Sequence, residues 1–160
     1  MIGRRRDPLA ALLCALLLAC GGSALGAVPP GEQIYNANCA LCHQQSAEGL
    51  PGQFPRLKGR IGPMLAQLES RRYAIEVVLN GMAGSIDLEG TRIVGVMPPL
   101  RTLSDRDIAS VLAYVAGLNA VHYAKPVSVA EVAEVRAAGP LTATEMRTKR
   151  EQMHRAGLLR

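Results

Sequence analysis

Cys39-Ala40-Leu41-Cys42-His43 constrains this chain more than any other run of residues: two thiols three positions apart, with an imidazole directly after the second. In a chain that leaves the reducing cytosol, this spacing is the attachment signature of haem c. Each thiol adds to a haem vinyl group and the adjacent imidazole reaches the iron. Three other readings compete. A zinc site wants four ligands, and beyond these three residues the mature chain offers only His122 and His154, with no second cysteine pair. A thioredoxin-like redox pair needs a strand before it in a βαβ context, whereas Gly31 to Ala40 reads as helix and strand signals are sparse. A structural disulfide leaves the histidine unexplained, and cysteines this close on a helix strain the bridge.

The N-terminus supplies the export signal. Arg4, Arg5 and Arg6 precede an apolar run from Leu9 to Ala19, the form of a signal peptide and too short to span a bilayer comfortably. The run ends in Leu17-Leu18-Ala19-Cys20, which resembles a bacterial lipobox. Residues 1–19 are therefore expected to be removed and Cys20 to carry a lipid in the bacterial periplasm. Cleavage after Gly26 is the alternative, and would release a chain with no anchor. Asp7 and Pro8 fit a twin-arginine signal poorly. Removal of residues 1–19 takes away three arginines and one aspartate, lowering the formal charge from +5 to +3. Cys14 leaves with them, so only Cys39 and Cys42 remain in the folded part. An exported chain of mildly basic charge and no basic motif excludes nucleic acid and suits a redox protein with an acidic face; the lipid at Cys20 is its one expected membrane contact.

At 160 residues, 49% of them hydrophobic and 19% charged, there is room for one modest domain. One Phe, four Tyr and no Trp leave its core short of large side chains, a deficit that a bulky cofactor relieves.

A haem iron held by His43 needs a second ligand, and the sulfur and imidazole candidates are Met64, Met82, Met97, Met146, Met153, His122 and His154. Met97 stands in Gly95-Val96-Met97-Pro98-Pro99-Leu100, where the prolines fix an extended backbone able to hold a thioether in place. Met82, in Asn80-Gly81-Met82-Ala83-Gly84, is second: its glycines predict a flexible surface turn. The remaining methionines read as core filler, and the two histidines as surface residues.

Around these positions, Gly31 to Asn38 reads as a helix that delivers the cysteines, and a Gly- and Pro-rich loop runs from Gly49 to Gly62. Apolar spacing predicts short helices over Pro63–Leu68 and Arg72–Asn80, and Ser85–Val94 reads as a small hairpin or loop excursion about Glu89-Gly90. Ser104 caps an acidic first turn, and Ile108, Val111, Leu112 and Val115 form the buried stripe of a helix ending near Gly117. Farther on, Ser128-Val129-Ala130-Glu131 and Thr142-Ala143-Thr144-Glu145 are capping boxes that start two helices, the second running from Ala143 to about Ala156. That second helix reads as solvated, lying on the domain.

Together these residues resemble class I cytochromes c, and within them the monohaem subunits that accompany periplasmic dehydrogenases and oxidases, over roughly Pro30 to Ala120. The resemblance implies an all-α cytochrome c fold, small helices wrapped around one covalent haem, with a cytochrome domain at 30–121 and a C-terminal helical extension at 122–160. It implies that Gly31 and Tyr35 let the first helix cross the last closely against Val111 and Tyr114, that the Pro55 carbonyl orients His43, and that Met97 is the distal iron ligand. It implies no catalytic residue: the chain is a one-electron carrier, accepting from a dehydrogenase and passing electrons toward a terminal acceptor such as an oxidase. The stretch from Gly81 to Val94 and the tail after Val121 exceed a minimal cytochrome, and both resemble the dehydrogenase-associated group. Two readings from other classes stand beside it: a haem enzyme or gas sensor with a displaceable distal ligand, and a non-haem metal-binding lipoprotein.

Overall fold

Helix α1 (Pro30–Asn38) opens on a proline, whose missing N–H costs nothing in a first turn, and α2 (Ala40–His43) follows it almost without interruption. Cys39 N–H donates to the Tyr35 carbonyl at 2.8 Å and His43 N–H to the Cys39 carbonyl at 2.9 Å, so the hydrogen-bond ladder carries through the cysteine. The computed structural model describes residues 30–118 and 125–159; the signal-peptide, Cys20 and His122 expectations lie outside them. After a loop come α3 (Ile61–Met64), α4 (Leu68–Asn80), β1 (Met82–Leu88), β2 (Thr91–Met97), α5 (Asp105–Gly117), α6 (Val129–Ala137) and α7 (Ala143–Arg155).

The hairpin corrects the all-α expectation. Strands β1 and β2 pair antiparallel from Leu88↔Thr91 out to Met82↔Met97, joined by Glu89 and Gly90 with φ of 52° and 76°. Two positive φ values in a two-residue loop match the right-handed twist of the strands, and Ile86, Thr91, Ile93, Val94 and Val96 supply the β-branched side chains a pleated ribbon favours. The strands reach well beyond the expected 85–94 segment. Asn80-Gly81-Met82 is accordingly no flexible surface turn. Gly81 is buried with φ of 70° and ends α4, and a Cβ there would lie 2.3 Å from the Met97 carbonyl oxygen and 2.8 Å from Pro99 N. Only glycine lets these two backbones meet. The two mid-chain helices also differ in their bounds: the extended backbone at Gln67 separates them, so α3 is a single turn and α4 begins at Leu68.

Helices α1 and α5 cross with almost no space between them. A Cβ on Gly31 would stand 2.3 Å from the Ser110 carbonyl oxygen and 2.8 Å from Tyr114 Cβ. Tyr35, fully buried, packs with Val111 and Val115, and its ring centroid lies 5.6 Å from that of Tyr114. A second core joins Leu65, Ile75 and Leu79 to Ile108 and Leu112, and it takes in Val127, Val132 and Val135 from the C-terminal extension. In a third, Met146 and Met153 of α7 close over Tyr73. That helix is therefore docked through an apolar stripe, with Glu145, Arg147, Glu151 and Arg155 outward and Lys149 and Arg150 half-buried.

Two arginines staple the extension to the rest. Arg71, 7% exposed, donates to the carbonyls of Leu65 (3.0 Å), Lys125 (2.6 Å) and Pro126 (2.7 Å) and to both Glu131 carboxylate oxygens (2.6 and 3.1 Å). Arg136 bonds Asp105 at 2.7 Å and the carbonyls of Arg101 and Leu103. Lys149 Nζ meets both oxygens of the buried Glu76, at 2.6 and 2.5 Å. Truncating a buried cation strands every acceptor it satisfied, so Arg71→Ala is expected to cost about 2–4 kcal/mol in chemical unfolding. An unchanged denaturation midpoint would contradict that.

The same contact carries a pH signature. The Arg71 guanidinium, with help from Ser128 and against partial burial, pulls the Glu131 carboxyl down to about 2. A carboxylate whose folded pKa lies below its unfolded value of about 4.3 contributes stability above that value, and loses it as pH falls toward the folded pKa. Between about pH 4.3 and pH 2 the wild-type protein should therefore lose stability on acidification more steeply than Glu131→Gln, measured as unfolding midpoints across that range. Parallel profiles would remove Glu131 from the account.

Candidate functional site

The site starts where α2 stops. Gln44 takes φ of 64° and turns the chain back, its carbonyl accepting the Tyr35 hydroxyl at 2.7 Å. The loop beyond folds onto His43. Ala47 is fully buried and its carbonyl accepts the N–H groups of Leu57 and Lys58, while Gly49 N–H donates to the His43 carbonyl at 2.9 Å. A Cβ on Gly49 would come within 2.4 Å of the Phe54 carbonyl oxygen and 2.6 Å of the Pro55 carbonyl carbon. Glycine here lets the 54–55 backbone pass directly beneath the histidine.

That passage brings the Pro55 carbonyl oxygen to 2.8 Å from His43 Nδ1. A proline carbonyl can only accept, so Nδ1 carries the proton and Nε2 keeps its lone pair. His43 is 8% exposed; burial lowers its pKa and the Pro55 bond pulls the other way. A neutral imidazole of fixed tautomer and orientation, with one basic nitrogen left over, is what a metal ligand must be.

Cys39 and Cys42 are free thiols, both half-buried, so no disulfide occupies the motif. Burial, and then the charge of Cys42, pushes the Cys39 thiol up to about 11. Both thiols and the imidazole lie on one helical turn, Leu41 between the cysteines being 90% exposed. Among the described residues no three His, Cys, Asp or Glu side chains are grouped as a metal-ion site, which leaves the zinc reading without its ligand set there. Two thiols available for covalent addition beside one oriented imidazole fit haem c, and His43 is the residue that would ligate its iron.

The structure sorts the second-ligand candidates. Met146 and Met153 are buried in the third core and Met64 packs against two of the cores; His154 is exposed on α7. Met97, half-buried, closes β2 ahead of Pro98 and Pro99, and Leu100 N–H anchors the segment to the Val78 carbonyl at 2.9 Å. Met82 stands opposite it in the strand register.

A cationic group completes the surroundings, and sequence reasoning passed over it because its members are far apart in the chain. Arg56 and Arg60 both bond Glu89 at the hairpin turn, Arg60 Nη1 at 3.1 Å. Arg56 holds the Glu89 carboxyl below its usual range. Burial lowers the Arg60 pKa against the pull of Glu89, with Arg150 of α7 adding to the lowering. Two guanidinium groups share one carboxylate beside a cavity of about 390 Å³ whose charged lining is Arg56, Glu48 and Glu89.

Residues 26–115 match the family described as cytochrome c oxidase, cbb3-type, subunit III. A cytochrome c-552 from Thermus thermophilus is 42% identical over 130 residues, covering 79% of this chain and 85% of that one. A second Thermus thermophilus cytochrome c-552 is 40% identical over 67% of this chain and 84% of its own length. A cytochrome c-554(547) from Halothiobacillus neapolitanus is 31% identical over 58% of this chain and 98% of its own.

Proposed function

This chain belongs to the monohaem class I c-type cytochromes and carries covalently bound haem c in an electron-transfer role, and from that premise we propose that it is a periplasmic carrier whose iron is held by His43 and Met97. The observation that supports His43 as a ligand is the 2.8 Å contact between its Nδ1 and the Pro55 carbonyl, which leaves the Nε2 lone pair available to a metal. Haem c supplies the reversible one-electron iron couple. Cys39 and Cys42 hold it by thioether bonds, so it cannot be lost when a partner binds and leaves. Thioether ligation from Met97 favours the reduced state and sets a positive potential. The close approach of Gly81 to the Met97 carbonyl fixes the backbone from which this ligand would extend.

Arg56 and Arg60 suit the acidic groups at the haem periphery, and their share of positive charge would rise if Glu89 were neutralised. The exposed Leu41, beside both attachment cysteines, suits that face to contact with a redox partner. A net charge of +3 after signal removal favours partners with an acidic face: a periplasmic dehydrogenase as donor and a terminal oxidase as acceptor, the latter in keeping with the oxidase-subunit name of the matched family. Residues 30–121 form the carrier and 122–160 its extension. A lipid on Cys20 tethers the whole to the membrane.

An optical spectrum of the mature protein, oxidised and reduced, tests the ligand assignment when combined with acid-acetone extraction. Haem that resists extraction, with a low-spin spectrum and the weak red band of a thioether–iron bond, is the expected result. A reduced protein that takes up carbon monoxide rapidly would refute Met97 ligation and favour a gas-binding or catalytic role.

A further inference from the structure

Met82 is directly opposite Met97 in the hairpin register, the one methionine pair that the sheet brings together among the described residues. Facing residues of an antiparallel pair stand about 4.5–5.5 Å apart at Cα and turn their side chains to the same face. A methionine side chain, unbranched and freely rotating, spans that distance. The root of the hairpin cannot spread them, because Gly81 lies in backbone contact with Met97, Pro98 and Pro99.

The Met82 thioether has a holder of its own. The Tyr73 hydroxyl donates to Met82 Sδ at 3.3 Å, and Tyr73, 1% exposed, is fixed by Met146 and Met153 of α7. A thioether is a weak acceptor, so this bond positions the sulfur without committing it. Filling space asks nothing of Met82 that a leucine would not do as well; a sulfur held by a buried hydroxyl, next to the sulfur assigned to the iron, points further.

We propose that Met82 is a reserve iron ligand, parked on the Tyr73 hydroxyl and able to take the distal position when the Met97 bond breaks. The inference rests on the assignment of Met97 as the working ligand. It gives the C-terminal extension a part in the redox site: α7 fixes Tyr73, and Tyr73 holds the spare sulfur aside.

Four holoproteins decide it: wild type, Met82→Leu, Met97→Ala, and the double variant, each checked for covalent haem and compared by the red thioether–iron band and by carbon monoxide uptake. Wild type and Met82→Leu should share the band, Met97→Ala should retain a low-spin spectrum with a thioether band and resist carbon monoxide, and the double variant should lose both properties. Adding Tyr73→Phe to Met97→Ala should enlarge the thioether-ligated fraction; no gain would overturn the parking contact. A Met97→Ala spectrum identical to that of the double variant would overturn the reserve role while leaving Met97 as the ligand. Loss of the band in Met82→Leu alone, with Met97→Ala unaffected, would overturn both assignments by making Met82 the working ligand.

Discussion

Replacing Cys39 and Cys42 together by serine is expected to abolish covalent haem: after acid-acetone extraction the denatured protein in pyridine should show no haem band, where the wild type should keep all of its own. The reason lies in the bond. A thiol adds across a vinyl group to give a stable thioether, and a hydroxyl at the same place does not. Each single variant retains one bond and one saturated vinyl group, so its reduced spectrum in pyridine shifts between those of free haem and the wild type. The half-buried Cys39 thiol, its pKa pushed up by burial and by Cys42, is held mainly as the neutral thiol in the folded chain. Haem that stays with the doubly substituted chain through extraction would refute the attachment role of both residues.

Met97→His should lower the reduction potential by on the order of 0.1–0.3 V, a fraction of the ~0.8 V over which axial ligands and their surroundings move haem iron. A thioether accepts electron density and favours the ferrous state, whereas an imidazole is the better donor to ferric iron. Histidine is the informative replacement, because it fills the position and keeps any neighbouring sulfur away. Redox titration followed at the main reduced-state absorption band gives the potential directly. A value unchanged from wild type would mean that Met97 does not touch the iron.

How much of this was legible in the chain depended on how far each contact reaches. The thiol–imidazole motif and the capping boxes at Ser104, Ser128 and Thr142 lie within three or four residues, and local spacing states them fully. The placement of Pro55 beneath His43 spans twelve residues and follows from family resemblance rather than from spacing. The hairpin is longer than its sequence suggests because its outer pairs depend on register. Counting outward from a two-residue turn at Glu89-Gly90 carries the pairing to Met82 and Met97, but the glycines at 81, 84 and 95 read as interruptions. Arg71 with Glu131, sixty residues apart, and Lys149 with Glu76, seventy-three apart, leave no local trace: an arginine or lysine that will be buried or half-buried looks in sequence like one on a solvated face. The same holds for Arg56, Arg60 and Glu89.

The joint core of Leu79, Leu112, Val132 and Val135 also bears on how such a chain is inherited. A segment that merely lies on a domain can be gained, lost or exchanged between genes without harm to its host. Here the C-terminal extension fills the interior of the first part, and Lys149 neutralises a carboxylate that α4 has already buried. Once acquired, this tail is costly to discard: a gene shortened after α5 would encode a carrier with an open core, its buried Glu76 left with Arg72 of the same helix as its remaining cation. The two parts are bound to evolve as one.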